Sequence, residues 1–598
     1  MQLIVVLFLA VAAFLLYLPP ELCGALAITP DSTEYSVCLA NFFEKGTFGF
    51  TINGVMYPSR YAPWFSLTCL SPGYLLTGTP LGCSLMILVF ALVLLYAVWR
   101  WGHVCGLGKW AIAPLFVLML SPTFVYYSRV VMTEIPYAAL TTVLGLVFVR
   151  FTQKETCSAR FCGSVGLLVA WCGAVRSSGL LLLAPFIVVA WLRKTSSRRF
   201  LVDALALSVP SGAYLLLAAG YNYHVFGDFF RAGYSYWQSI PFDFPDLLFN
   251  WRYFSNVLAA LSSCPMFSLM VGGVLLVLTT VAYDVGKKFW RSNCSCHEWL
   301  PIRAGESPFH VLACFFLWHA GVIFALYCRY FFFDLRFFLP MYVGVVPLVM
   351  AAVIRYVTRS ATLRFLVLII VIAVFSFAFH TKDHQLKSYF DVMKRMQYDA
   401  VVSGTIAKQI PDAAVLIPNL NPCIAEYFGL GKKHITMIPF DHAGEYSNRM
   451  IASSSIGEVE LDPARELVGQ TIEPQLVKSG RCHCPFRQTV SENPDVIKQL
   501  VDSRRRVFVL PNLLERSNGE ALESILRHHS LELRYIGTWE INQIDFNPVR
   551  HFYDLMLFTT NEAFDRYLNF PLVICEVVPM PPSGSDSRAG DAVSEVEK

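Results

Sequence analysis

Two acidic residues stand beside apolar runs, where a carboxylate is unusual. Asp31 lies in the segment Thr29–Tyr35, shortly after the first apolar run, and Glu134 lies in Thr133–Pro136, between two later runs. A carboxylate near the end of a membrane span is costly unless it is paired or hydrated, so its presence suggests a functional site. A carboxylate held at a membrane surface could act as a general base.

Each acid also has a structural interpretation. Asp31 could cap a helix, with Glu34 three residues later completing a capping box. That helix would run to Gly46. It would bury four side chains: Tyr35, Leu39, Phe42 and Phe43. For Glu134, the structural alternative is an ion pair with Arg129.

Arginines collect in the same parts of the chain as these acids. They are Arg60, Arg176, Arg329 and Arg336. Guanidinium groups suit phosphate because they are planar, permanently charged and able to bind it bidentately. The structural alternative is pairing with Asp334, with Glu134 or with lipid headgroups.

A carboxylate beside several arginines fits one reaction in particular. If a sugar is carried on a polyprenyl phosphate, the phosphate is already a fair leaving group and needs no general acid. The reaction then needs a cation to hold the departing phosphate and a base to take a proton from the acceptor hydroxyl. Both kinds of group are present.

The composition shows which elements must position these residues. The chain has 598 residues, of which 55% are hydrophobic and 15% charged, and its net charge is +4. A soluble chain carries about 25% charged residues, so a large membrane-spanning part is expected. No long Lys/Arg run suits a nucleic-acid partner.

Eleven apolar runs are long enough to span a bilayer: Leu3–Leu18, Leu81–Trp99, Trp110–Tyr127, Val130–Val149, Phe161–Val175, Ser177–Leu192, Leu201–Ala219, Met266–Tyr283, Phe309–Leu326, Phe337–Ile354 and Phe365–Phe379.

Basic residues predict the orientation of these spans. With the N-terminus in the cytoplasm, the cytoplasmic loops hold 16 Lys and Arg and the opposite loops hold 8. Cytoplasmic loops carry such an excess. This orientation depends on a break at Arg176 that divides Phe161–Leu192 into two spans. It places Asp31, Glu134 and the arginines named above on the non-cytoplasmic face, together with everything after Phe379.

The predicted domains follow from this topology. Residues 1–379 form the membrane domain, with outer loops at 19–77 and 220–265. Residues 380–578 form an extracytoplasmic α/β domain, because strand-like runs alternate with helical ones. The strands are expected at Ala414–Ile417, Ile435–Ile438, Val507–Leu510 and Leu531–Gly537, with a helix at Gly519–His529. Residues 579–598, rich in Pro, Ser, Gly and acids, are predicted to be disordered.

The motifs resemble those of the GT-C superfamily of polytopic glycosyltransferases. The resemblance is strongest to the branch with protein O-mannosyltransferases, the aminoarabinose transferase of lipid A and lipopolysaccharide core transferases. It rests on Thr29–Ser32 with Tyr35, on Tyr57–Pro63, on Ser121-Pro122 with Ser128-Arg129 and Thr133–Pro136, on Val175-Arg176 and on Leu335–Pro340. The family often has two adjacent acids at the first motif, whereas Ser32 follows Asp31 here.

This resemblance implies an inverting transfer from a lipid-phosphate sugar. Asp31 would be the base and Glu134 the second acid of the active site. Arg60, Arg176 and Arg336 would contact the donor phosphate. The motif positions add four further substrate-binding candidates, which are Glu34, Tyr35, Tyr61 and Arg129. Some relatives bind a divalent metal, but no metal ligand set is recognisable in this sequence.

The expected protein is therefore an integral, multi-pass glycosyltransferase of a bacterial inner membrane or an endoplasmic reticulum. Its partners would be the polyprenyl-phosphate sugar, membrane lipids and a lipid, glycan or protein acceptor. Two other functions remain open from the sequence. The chain could be a transporter or flippase of a lipid-linked substrate, or a non-catalytic assembly subunit that recruits partners through its outer domain.

Overall fold

A computed structural model describes most of the membrane part of the chain and the core of the C-terminal part. The described residues are 7–12, 30–52, 55–128, 130–154, 156–193, 196–230, 233, 254–291, 307–328, 335–357, 369–371, 374, 402–417, 435–438, 440, 490–491, 493–511, 514, 516–540 and 571–581.

The structure is mainly helical, as the apolar runs predict. Among the described residues, six helices are long and apolar enough to cross a membrane. They are α3 (Pro80–Val104), α6 (Glu134–Gln153), α9 (Ser197–Phe226), α11 (Pro265–Arg291), α12 (Pro308–Tyr327) and the helix α13 (Leu339–Val357) with the 3-10 turn before it, Leu335–Phe338. Each corresponds to one predicted span, and most of the helix ends lie a few residues beyond the predicted limits.

Two predicted spans are broken into shorter apolar helices. Trp110–Tyr127 becomes a 3-10 turn, Gly108–Ile112, followed by α4 (Ala113–Met119) and α5 (Pro122–Tyr127). Ser177–Leu192 becomes a 3-10 turn, Ser177–Leu182, followed by α8 (Leu183–Leu192). Pro114 and Pro122 stand in the first turns of α4 and α5, where a missing N–H is tolerated.

The break at Arg176 is present. Helix α7 (Ala159–Val175) ends there, Arg176 has extended backbone (φ −147°, ψ 127°), and the 3-10 turn begins at Ser177. The prediction of two segments in Phe161–Leu192 thus agrees with the structure. The first and last predicted spans, Leu3–Leu18 and Phe365–Phe379, lie mostly outside the described residues, so the number eleven stays a prediction.

Loops that were assigned to one side of the membrane meet at one end of the bundle. Arg199 donates a hydrogen bond to the carbonyl of Cys157, and Arg193 donates one to the carbonyl of Phe151. These contacts join two loops that the basic residues placed in the cytoplasm. The alternation of spans is therefore consistent with the packing.

The first outer loop forms a helix and a hairpin. Helix α1 (Pro30–Lys45) is followed by Gly46, whose φ of +72° is the left-handed conformation common after a helix. The antiparallel hairpin of β1 (Gly49–Ile52) and β2 (Val55–Pro58) follows. The short helices α2 (Ser71–Thr77) and α10 (Phe254–Ser263) lie in the two outer loops. The prediction that α1 buries Phe43 is wrong, because Phe43 is 40% exposed and stacks on Tyr74.

The C-terminal part is an α/β sheet of five strands in the order β4-β3-β5-β7-β6. The predicted strands are present as β3 (Val415–Ile417), β4 (Thr436–Met437), β5 (Val507–Val509) and β6 (Leu531–Glu540). Helices α14 (Asp495–Asp502) and α15 (Arg516–His528) accompany them, and α15 is the predicted helix at Gly519–His529. Strand β7 (Pro571–Pro579) was not predicted. It lies antiparallel between β5 and β6.

One face of this sheet shares a hydrophobic core with the first outer loop. Val37 and Cys38 of α1 and Phe48 and Phe50 of the hairpin pack in one cluster with sheet residues such as Leu416. The helical segment at 402–409 belongs to the same cluster, and the other face is covered by α14 and α15. The sheet therefore lies at the α1 end of the bundle. The predicted boundary at 379/380 and residues 582–598 lie outside the described residues, so the domain limits stay predictions.

Candidate active site

Asp31 is the second residue of α1 and is buried against two arginines. Arg60 Nη2 donates to Asp31 Oδ1 over 3.0 Å, and Arg336 Nη1 donates to Asp31 Oδ2 over 3.2 Å. Asp31 thus stands inside the helix rather than before it, and its carboxylate binds side chains that are far away in sequence. A structural capping residue would not need these arginines.

The electrostatic environment keeps Asp31 ionised. Burial acts to raise the pKa of Asp31, but the charges of Arg60 and Arg336 and a hydrogen bond with Tyr61 outweigh it and hold that pKa below its usual value. The ionised carboxylate is the form that can accept a proton or hold a cation.

Glu34 fixes the turn that carries Arg60. This fully buried side chain accepts hydrogen bonds from Ser59 Oγ at 2.8 Å and from the Arg60 backbone N–H at 2.9 Å, both on Oε1. Its Oε2 accepts a third bond from Arg60 Nε at 2.7 Å. Because one carboxylate holds both the backbone and the guanidinium of Arg60, the arginine is fixed immediately after strand β2.

Two tyrosines that were predicted as substrate contacts lie next to Arg60. The rings of Tyr35 and Tyr61 stack with centroids 4.4 Å apart, and the Arg60 guanidinium lies 4.8 Å from the Tyr61 ring. The Tyr61 N–H donates to Ser59 Oγ over 3.0 Å. Stacked rings have few rotamers to lose on binding a ligand, so they form a rigid wall beside the arginine.

The second acid forms its own pair with Arg176. Arg176 Nη2 donates to Glu134 Oε1 over 2.5 Å, and Arg176 Nε donates to Thr133 Oγ1 over 3.0 Å. Arg336 Nε lies 4.0 Å from Glu134 Oε1. Arg129, the partner that the sequence suggested for Glu134, lies outside the described residues, as do Arg329 and Asp334.

Ends of helices bring these side chains together. Glu134 is the first residue of α6, where the helix dipole favours a negative charge. Arg176 occupies the extended break after α7, and Arg336 lies in the 3-10 turn before α13. All three positions are at the end of the bundle where α1 begins, in agreement with the predicted topology.

The six charged residues form one alternating row, which we call the charge row. Its order is Glu34, Arg60, Asp31, Arg336, Glu134 and Arg176. Three carboxylates and three guanidinium groups cancel in net charge. Breaking one buried pair of this kind costs about 3–5 kcal/mol, because the other charge loses its partner.

Three residues beneath the charge row were not predicted from the sequence. The hydroxyl of Tyr137 accepts a hydrogen bond from Ser178 Oγ at 3.2 Å and lies 3.3 Å from His319 Nε2. The Arg176 guanidinium lies 5.7 Å from the ring of Tyr137 and equally far from the ring of Phe337. A histidine inside the apolar run Phe309–Leu326 was the one available signal, because an ionisable residue inside a span suggests function.

The Glu134–Arg176 pair of the charge row has two atoms without a hydrogen-bond partner among the described residues. They are Glu134 Oε2 and Arg176 Nη1, and both are buried. A buried polar atom without a partner costs about 1–3 kcal/mol, and such atoms in a native structure need an explanation.

The acids of the described site are held by guanidinium groups. Within the described part of the chain, no three His, Cys, Asp or Glu side chains are grouped as metal ligands. Asp31 and Glu134 are each engaged by at least one guanidinium group within 3.2 Å, which competes with a cation for the same oxygens.

Comparison with known proteins identifies the fold. No protein-family model and no curated protein sequence matches the chain. The crystal structure of ArnT from Cupriavidus metallidurans bound to undecaprenyl phosphate is similar over 96% of this chain and 97% of that one, with a TM-score of 0.50 and 12% identity. The apo structure of the same protein has a TM-score of 0.47 and 13% identity, over 89% of this chain and 96% of that one. An oligosaccharyltransferase of Archaeoglobus fulgidus in complex with Zn and sulfate has a TM-score of 0.42 and 10% identity, over 90% of this chain and 72% of that one.

The chain therefore shares the overall fold of the ArnT structure. The full-length match to ArnT agrees with a multi-pass membrane protein that carries a C-terminal α/β sheet.

Proposed function

We propose that this protein is an integral membrane glycosyltransferase that moves a sugar from a polyprenyl-phosphate donor to an acceptor hydroxyl on the non-cytoplasmic face. The observation that carries the proposal is the contact of one ionised carboxylate, Asp31, with two arginines, Arg60 and Arg336. The fold shared with the ArnT structure supports it, as does the undecaprenyl phosphate bound in that structure.

Arg60 and Arg336 are the groups that would bind the donor phosphate. Each now donates to Asp31, and Arg336 retains 19% exposure of its side chain. A phosphate oxygen accepts the same bidentate hydrogen bonds as a carboxylate. On binding, the phosphate would replace Asp31 as the partner of one or both guanidinium groups and so release the carboxylate.

That exchange would also make Asp31 a stronger base. The two arginines hold the pKa of Asp31 below its usual value against the effect of burial. When their charges are neutralised by phosphate, burial remains and the pKa rises. Asp31 would therefore become a stronger base only after the donor is bound.

The chemical step needs no further group. Asp31 takes the proton of the acceptor hydroxyl as its oxygen forms a bond to the anomeric carbon of the sugar. The bond from that carbon to the phosphate oxygen breaks, and the electron pair leaves with the phosphate. Arg60 and Arg336 stabilise the charge that develops on this leaving group. Attack opposite the leaving phosphate inverts the anomeric centre.

The acceptor would approach from the side of the C-terminal sheet. That sheet shares its core with α1, whose first turn carries Asp31. Its hydroxyl could belong to a lipid, a glycan or a protein. The non-cytoplasmic placement follows from the basic residues of the predicted cytoplasmic loops.

The test is a transfer assay with purified protein in lipid nanodiscs. A panel of undecaprenyl-phosphate sugars is supplied together with a membrane extract from cells that lack the protein. Mass spectrometry then detects a product heavier by one sugar and the release of undecaprenyl phosphate. We expect transfer by the wild type and a loss of about 100-fold or more in Asp31→Asn, since general-base catalysis contributes 10²–10⁴-fold.

Glu44→Gln is the matched control, because Glu44 is an exposed carboxylate on the same helix as Asp31. It should keep the wild-type rate. Wild-type rates in a folded Asp31→Asn variant would overturn the role of Asp31. In sealed proteoliposomes, donor that crosses the membrane unchanged, with no product, would favour a flippase instead.

A further inference from the structure

Glu134 and Arg176 form one end of the charge row, and both side chains are largely buried. Their side chains are 2% and 10% exposed, whereas Arg336 is 19% exposed. Each has one polar atom, Glu134 Oε2 and Arg176 Nη1, that is buried without a hydrogen-bond partner among the described residues. The pair therefore offers one open acceptor and one open donor. At Asp31, by contrast, both carboxylate oxygens accept hydrogen bonds.

We propose that Glu134 and Arg176 bind the sugar of the donor through its hydroxyl groups, and that this sugar is neutral. The inference rests on the proposed function and deepens it. It departs from the expectation, taken from the family resemblance, that Arg176 contacts the donor phosphate.

Hydrogen bonding favours a sugar over a phosphate at this pair. An open carboxylate oxygen needs a donor, and a sugar hydroxyl supplies one. The same hydroxyl, or its neighbour on the ring, can accept from Arg176 Nη1. A phosphate diester carries no donor, so beside Glu134 Oε2 it would place oxygen against oxygen and leave the carboxylate unsatisfied.

The local charge favours a neutral sugar over an aminosugar. Glu134 Oε1 already contacts Arg176 at 2.5 Å and lies 4.0 Å from Arg336. The carboxylate has no excess negative charge with which to compensate an ammonium group, and two guanidinium groups would repel it. Specificity of this kind arises from the repulsive element as much as from the attractive one.

The pair is also held rigidly enough to select a ligand. Thr133 Oγ1 fixes Arg176 Nε at 3.0 Å, and the rings of Tyr137 and Phe337 each lie 5.7 Å from its guanidinium. Tyr327 stacks on Phe337 with a centroid distance of 4.5 Å. Side chains that are already fixed lose little entropy on binding.

The position of Arg336 connects the sugar site to the phosphate site. Its guanidinium contacts Asp31 at 3.2 Å and lies 4.0 Å from Glu134. A phosphate held by Arg336 would thus have its sugar next to Glu134, while the anomeric carbon stays near Asp31. Both sites would be filled by one donor molecule.

The test compares the binding of three lipids to purified protein in nanodiscs. The probes are undecaprenyl phosphate, undecaprenyl phosphate glucose and undecaprenyl phosphate aminoarabinose. The wild type should bind the glucose lipid more tightly than the aminoarabinose lipid. In Glu134→Gln, affinity for the glucose lipid should fall about tenfold, because a hydrogen bond to a charged group is lost. Affinity for undecaprenyl phosphate alone should stay equal or rise, because Arg176 loses its counter-charge.

Arg176→Lys provides a second variant that keeps the charge but removes the open Nη1 donor, and it should show the same selective loss. Binding of undecaprenyl phosphate by both variants reports that they are folded. An equal loss for all three lipids would show that the pair holds phosphate and would overturn this inference, while the proposed function stands. Tighter binding of the aminoarabinose lipid by the wild type would overturn the assignment of a neutral sugar. A wild type that binds none of the lipids would refute the proposed function, and this inference with it.

Discussion

Arg336 Nη1 donates a hydrogen bond to Asp31 Oδ2 over 3.2 Å and so joins residues that are 305 positions apart. Asp31 lies in the first turn of α1, and Arg336 precedes α13. This contact closes the charge row, because Arg336 is the only member near both Asp31 and Glu134 among the described residues. The row is therefore a product of the whole membrane domain and not of one loop.

Replacement of Arg336 by Gln should weaken donor binding more than it changes stability. The side chain is 19% exposed, and Asp31 keeps its bond to Arg60, so little buried charge is left alone. A charge-assisted hydrogen bond to phosphate contributes about 1.5–3 kcal/mol, which is roughly a 10- to 150-fold change in affinity. Binding of undecaprenyl phosphate to the variant measures this. An unchanged affinity, with an intact melting temperature, would remove Arg336 from the phosphate site.

Glu34→Gln should reduce both stability and activity. All three hydrogen bonds to Glu34 come from donors, so an amide NH2 group would face at least one of them. Loss of a buried ionic partner costs about 3–5 kcal/mol. Thermal melting in detergent should show a clear decrease for Glu34→Gln and none for Glu44→Gln. Wild-type melting of Glu34→Gln would show that the Arg60 turn is held by other contacts.

Much of the helical part follows from the sequence because the membrane imposes simple requirements. A span must be about 20 apolar residues long, and basic loops stay on one side. These requirements predicted α3, α6, α9, α11, α12 and α13, and the break at Arg176. They also predicted that Asp31, Arg60, Glu134, Arg176 and Arg336 lie at one end of the bundle.

The pairings inside the site could not be derived in this way. Among the described residues Glu134 pairs with Arg176, which is 42 positions away, whereas Arg129, five residues away in sequence, lies outside them. Which arginine meets which acid depends on how helix ends pack in three dimensions. Strand β7 could not be predicted for the same reason. Pro571–Pro579 enters the sheet between β5 and β6 through contacts that are distant in sequence.

Gly233 provides a test of how closely the second outer loop approaches the site. A Cβ atom on Gly233 would lie 2.4 Å from the Ser59 carbonyl oxygen and 2.6 Å from Arg60 Cα. Gly233→Val should therefore displace Arg60 and lower sugar transfer by about 100-fold, as a shift of 1 Å in a positioning group does. Gly220→Val is the control, because a Cβ there meets nothing within 4 Å. Equal rates for the two variants would contradict this contact.

The C-terminal sheet should lose stability in acid through Glu576. Hydrogen bonds from Arg506 foremost, and from Arg534, hold the pKa of this carboxyl below its usual value, although burial opposes them. Because the folded pKa is depressed, the stabilisation is present above the unfolded pKa, about 4.3, and is lost as the pH falls through the folded value. Glu576→Gln should therefore melt lower than the wild type at pH 7, and the two should converge towards pH 3. A constant difference across this range would exclude ionisation as the cause.

The last prediction concerns Asp31. The pH dependence of kcat should differ from that of kcat/KM, and removal of the Asp31 carboxylate should affect transfer and lipid binding in opposite directions. Without donor, the pKa of Asp31 lies below its ordinary value of 3.8 because Arg60 and Arg336 outweigh the effect of burial. The value of kcat/KM, which reports the free enzyme, should therefore not fall with decreasing pH until the pH is below about 4. With donor bound, the arginines turn to phosphate and the pKa rises, so kcat should begin to fall at a higher pH than kcat/KM. Asp31→Asn should lower transfer by about 100-fold or more. It should nevertheless bind undecaprenyl phosphate more tightly than the wild type, because the competitor for both guanidinium groups is gone. Weaker binding by Asp31→Asn would show that Asp31 orders the arginines for phosphate instead of competing with it.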